Sequence, residues 1–153
     1  LYVAEYGAND RVQKFTPDGA HVLTIGSFGT GPAALQRPSG LTWHEGLLYV
    51  ADAINNRIQI YNAATGAHTG SLDQLGLDLP YDIAVDRDGT LLIVEYGAGR
   101  VTRATRDGAV LGRFGSTGQG RGQFSTPWGM TVDSKGRIRI ADTGNRRIVG
   151  LVP

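Results

Sequence analysis

The sequence predicts an all-β chain made of repeated four-stranded antiparallel units, and three observations carry that prediction. One hairpin pattern is written four times, an apolar strand closed by an acid and followed by an arginine-led strand: 3–5 with 11–13, 50–52 with 57–59, 94–95 with 100–102 and 140–142 with 147–149. The closing acids are Glu5, Asp52, Glu95 and Asp142, so the steps are 47, 43 and 47 residues, the period at which a four-stranded propeller blade repeats. The apolar runs are short, rich in Val, Ile, Leu and Tyr, and broken by glycine-bearing turns, while 23 Gly and 6 Pro leave no window for a long amphipathic helix. Together they point to a β-propeller.

Within each full unit the strands read a, b, c and d. In the second unit these are 40–44, 47–52, 57–62 and 68–72; in the third they are 83–86, 90–95, 100–105 and 109–114. The a–b turns carry Asp88-Gly89 and Lys135-Gly136. The c–d turns carry Asp18-Gly19, Thr65-Gly66 and Asp107-Gly108, where glycine supplies the positive φ of a tight hairpin. The first unit contributes b, c and d and the fourth a, b and c, giving 14 strands, or about 3.5 blades, with blade bounds at 1–26 (partial), 38–72, 80–115 and 127–153 (partial).

The 153 residues are 41% hydrophobic and 19% charged, ordinary for a globular chain, with no run of the ~18 apolar residues a membrane helix needs. There is no cysteine, so neither disulfides nor thiolate metal sites hold the fold, and the compartment is left open, an extracytoplasmic one included. Residues 1–76 carry 4 basic and 6 acidic side chains and residues 77–153 carry 11 and 8. That mild asymmetry falls short of the clustered basic face of a nucleic-acid binder, so nucleic acid is not an expected partner.

The segment 115–129, GSTGQGRGQFSTPWG, followed by Val132-Asp133, Gly136, Ala141-Asp142, Asn145 and Arg147-Ile148, closely resembles the NHL repeat, the blade unit of a family of mostly six-bladed β-propellers. The resemblance spans the chain: residues 26–38 and 115–127 match in length, and 72–80 is a shortened copy. Three departures stand out: Trp43-His44 replaces the Val-Asp of the later units, Asp82 replaces a glycine, and Glu5-Tyr6 and Glu95-Tyr96 stand where the family usually shows Asp. The resemblance implies a ring larger than this chain, completed by further blades of a longer polypeptide or by a second copy.

In such a blade the b–c loops and d–a linkers emerge on one side, at the channel mouth, where binding concentrates. The candidate binding residues there are Ser39, Tyr81, Asp82 and Trp128 at the starts of strands a, with Glu5, Tyr6, Asp52, Glu95, Tyr96 and Asp142 from the b–c hairpins. The aromatics suit stacking on a flat ligand, or packing between blades. The acids recur in every blade, each with an arginine across the hairpin, which favours a structural role; Asp82 breaks the repeat and is the sharpest single candidate. Trp43, in mid-strand, is expected in the core.

No catalytic residue is nominated. There is no Gly-x-Ser-x-Gly elbow and no cysteine, and the glycine-rich stretch at 118–122 runs into a strand rather than the helix a phosphate cradle requires. His21, His44 and His68 lack paired zinc spacing. No cofactor or metal is expected; calcium is the one cation the resemblance allows, through Asp82, Glu5 and Glu95. The expected function is a non-catalytic binding or scaffold module for a protein, peptide or carbohydrate. The alternative is a propeller enzyme, lactonase-like or a lyase, with its remaining site residues in other blades.

Overall fold

The computed structural model describes residues 1–151; the last two residues of the blade expected over 127–153 lie outside it. Four antiparallel sheets follow one another along the chain. The first holds β1 (Tyr2–Glu5), β2 (Arg11–Phe15) and β3 (His21–Ile25). The second holds β4 (Pro38–His44), β5 (Leu47–Asp52), β6 (Arg57–Asn62) and β7 (His68–Leu72). The third holds β8 (Pro80–Val85), β9 (Leu91–Glu95), β10 (Arg100–Ala104) and β11 (Val110–Phe114), and the fourth β12 (Pro127–Val132), β13 (Ile138–Asp142) and β14 (Arg147–Leu151). Each sheet pairs strictly in chain order, the meander of a propeller blade. No helix among the described residues is long and apolar enough to cross a membrane.

Strands β4 and β8 begin earlier than the sequence suggests, at Pro38 and Pro80. Each proline opens its strand opposite the acid that closes the next one, Pro38 opposite Asp52 and Pro80 opposite Glu95, and a register shift follows. An edge-like first position suits a residue without an N–H donor. The residue before each such proline, Arg37, Leu79 and Thr126, has φ of 58°, 48° and 45°, because the linker must reverse sharply into strand a. Two of these left-handed positions are held by a side chain from the preceding blade: Asp10 Oδ1 accepts the Arg37 N–H at 3.0 Å, and Asn56 Oδ1 accepts the Leu79 N–H at 2.8 Å.

The core lies between blades. Val12, Ile25 and Leu35 pack on Leu48, Val50 and Tyr61 between the first and second sheets. Tyr49, Ala51 and Ile58 pack on Ile83, Leu91 and Ile93 between the second and third. Leu92, Val94 and Val101 meet Phe124, Ile138 and Ile140 between the third and fourth. The middle strands β5 and β9 are buried on both faces, which is why they read as unbroken apolar runs. Each linker drops an apolar plug into these seams: Leu35, Leu77 and Phe124 occupy equivalent positions and are buried, and the middle linker adds Leu75.

Trp43 departs from expectation: it is 59% exposed rather than in the core. It pairs with Leu48, and so shares the face that turns toward the first sheet.

Candidate functional site

The acid and arginine of each b–c hairpin lock the preceding linker to the blade. Asp52 accepts the Gln36 N–H at 2.6 Å, the Asn55 amide at 2.9 Å and Arg57 Nε at 2.8 Å, while Arg57 Nη2 donates to the carbonyls of Gly31 and Ala34. Glu95 accepts the Asp78 N–H, Arg100 and the Thr102 hydroxyl, and Arg100 also reaches the Gly76 carbonyl. Asp142 accepts the Ser125 N–H, Asn145 and Arg147, and Arg147 donates to the carbonyls of Gln119, Gly120 and Gln123. The backbone N–H donors, from Gln36, Asp78 and Ser125, come from the d–a linker, and the side-chain donors from the hairpin itself.

These three carboxylates are fully buried, which removes Asp52, Glu95 and Asp142 from the ligand-facing set: every oxygen is already engaged by a donor of the fold. Burial pushes the Asp52 carboxyl up, partly offset by Gln36, Asn55 and Arg57. In Asp142 burial also pushes upward, but the combined bonds from Asn145, Ser125 and Arg147 outweigh it and its pKa is lowered. Glu5 is bound by Arg11 and Gln13, both at 2.6 Å. Its pKa is lowered, chiefly by Arg11.

Asp82 occupies a different place. Strands β4, β8 and β12 lie side by side on the inner side of the blades, and Asp82 of β8 reaches across to β12, where its Oδ2 accepts the Met130 N–H at 2.6 Å; Oδ1 accepts the Ile83 N–H at 2.9 Å. The glycine at the equivalent position of β4 makes room for it. A Cβ on Gly40 would sit 2.5 Å from the Asp82 Cα. Burial raises the Asp82 pKa against the opposing pull of those two backbone donors.

The aromatic candidates do converge. Tyr81 and Tyr96, from β8 and the β9–β10 loop, stack with centroids 4.8 Å apart and an interplanar angle of 28°. Trp128 of the fourth blade stands edge-on to both, at 5.3 and 6.2 Å. Tyr81 is buried beneath this cluster, whereas Trp128 is 47% exposed and Tyr6 52%. Such offset and edge-to-face pairs stabilise by about 0.5–1.5 kcal/mol each beyond area burial. Ser39 lies at the same level, its hydroxyl 3.4 Å from the Pro80 carbonyl.

Sequence reasoning missed Arg37, which lies between Tyr6 and Tyr81 with its guanidinium carbon 5.2 and 5.3 Å from the two ring centroids. The one available signal was its place immediately before Pro38, equivalent to Leu79 and Thr126. Tyr6, Arg37, Tyr81, Tyr96 and Trp128 thus form a continuous cation and aromatic arc across three blades and a linker. The three proposed calcium contributors do not assemble, and no group of three or more His, Cys, Asp or Glu side chains among the described residues is placed to hold a metal ion.

Radial antiparallel blades whose linkers and b–c loops crowd one rim define a β-propeller, and solved propellers overlie it. A streptogramin B lyase superposes with a TM-score of 0.66 at 22% identity, covering 92% of this chain and 43% of that one. A gluconolactonase from Xanthomonas campestris does so with a TM-score of 0.64 at 24% identity, covering 90% and 43%. At that identity the likeness is one of fold alone. Residues 124–151 match the NHL repeat. NHL repeat-containing protein 3 of Homo sapiens is 36% identical over 81 residues, 51% of this chain and 23% of the human protein. The chain thus carries one matched NHL repeat and is similar to NHL repeat-containing proteins. It spans about a quarter of the length of the curated relatives it matches, 23% of the human protein and 28% of its Mus musculus counterpart.

Proposed function

We propose that this NHL-repeat propeller segment is a non-catalytic binding module that holds a protein, peptide or carbohydrate partner on its loop-bearing face. The observation that carries this reading is the arc from Tyr6 through Arg37 and Tyr81 to Trp128, with exposed rings at both ends and a buried ring between them. Exposed aromatics set on a rigid base give contact area at little entropic cost, the composition of binding hot spots. The repeated acids support it from the other side: Asp52, Glu95 and Asp142 are consumed in holding linkers.

The test is capture of the partner from a lysate of the parent organism by the full chain, compared with Trp128→Ala and Tyr6→Ala. Both variants are expected to weaken capture about tenfold or more, as the loss of an interface aromatic does; Tyr6→Ala is expected to retain the melting temperature, and Trp128→Ala to lower it by no more than the loss of its two ring pairs. Equal recovery by wild type and both variants overturns the proposal.

A further inference from the structure

Arg37 differs from every repeat arginine around it. Arg57, Arg100 and Arg147 each grip a carboxylate and the carbonyls of a linker. Arg37 pairs with no carboxylate among the described residues, and its Nε is buried without a hydrogen-bond acceptor. Its position is nevertheless fixed: the left-handed backbone at φ 58° is held by Asp10, and the guanidinium lies between two tyrosine rings. Contacts with the aromatic rings stabilise the cation without using its N–H groups. The two terminal nitrogens of the guanidinium form a planar pair of donors, a fork that matches the two oxygens of an oxyanion.

Two neighbours narrow the choice. The Asp10 carboxylate lies on the backbone side of Arg37, so a dianionic phosphate meets repulsion that a monoanion largely escapes. Trp128, edge-on to Tyr81 and half open to solvent, adds a flat apolar ring to the cluster that holds the cation. We propose that the loop-bearing face carries a subsite for a carboxylate joined to an apolar ring, the carboxylate seated on the Arg37 edge and the ring against Trp128 and Tyr96. This deepens the binding-module reading and rests on it.

Calorimetric titration of the full chain with N-acetylphenylalanine and with N-acetylphenylalaninamide tests it, since the two share ring and amide and differ in charge. The acid is expected to bind about tenfold or more tightly than the amide, as charge-assisted bidentate pairs do. Arg37→Met is expected to erase that preference and Arg37→Lys to reduce it, while Trp128→Ala weakens acid and amide alike. Should Arg37→Met fail to fold, the lysine variant, which keeps the charge and loses the fork, reads the same preference. Equal binding of acid and amide, no binding of either, an undiminished preference in the arginine variants, or tighter binding of galacturonate than of N-acetylphenylalanine each overturns it. Partner capture by Trp128→Ala is read independently of these probes, so loss of the carboxylate preference with that capture defect intact removes this assignment alone.

Discussion

At the scale of single residues, Asp82 shows how one side chain can tie blades together where the repeat calls for glycine. Removing its carboxylate in Asp82→Ala strands the Met130 N–H, and a buried donor left without its acceptor costs about 1–3 kcal/mol. Urea denaturation of the full chain is expected to show that loss. The titration has its own signature. Because burial raises the Asp82 pKa in the folded chain, its ionisation favours the unfolded state. The stabilising contribution is therefore complete below the ordinary carboxylate range and is lost as pH rises through the folded value. Asp82→Asn removes this dependence, so the stability of wild type relative to Asp82→Asn is expected to fall as pH rises through and above the ordinary carboxylate range. A flat or rising difference counts against it. Gly40→Ala probes the same contact from the opposite side: its Cβ would press on the Asp82 backbone at 2.5 Å. A loss of about 1–3 kcal/mol is expected from such overpacking, against little change for Gly150→Ala, which faces open space.

At the scale of the element, the linker and its clamp behave as one unit. Asp52→Ala leaves Arg57 half buried and the Gln36 N–H without its acceptor, and breaking a buried pair from one side costs about 3–5 kcal/mol. Arg103→Ala, which cuts an exposed pair with Asp88, is expected to cost less than about 1 kcal/mol. Equal effects in denaturant melts would refute the distinction. Much of this level was legible in the sequence. Strands β5, β6 and β7 lie where their hydrophobic pattern and turns put them, because tight hairpins write their register locally. The clamp was half legible: the spacing paired Asp52 with Arg57, but the linker donor Gln36, 16 residues away, has no local signal. Trp43 and Arg37 were illegible for the same reason, since exposure and cation contacts depend on which blade stands alongside.

At the scale of the whole molecule, three seams between four sheets make stability a nearest-neighbour affair. Val50 belongs to the first seam and Ile140 to the last, with no shared cluster. Val50→Ala and Ile140→Ala are therefore expected to add within about 0.5 kcal/mol in the double variant. Ile83→Ala with Ile93→Ala, in one seam, is expected to depart from additivity. A strong coupling between the distant pair would mean that strain travels around the blades.

The arrangement of the two tryptophans, Trp43 exposed on β4 and Trp128 within the tyrosine cluster, gives the chain its own optical probe. Replacing Trp43 by Phe leaves a single indole at the rim, and its emission then reports occupancy of that rim directly, with no label attached.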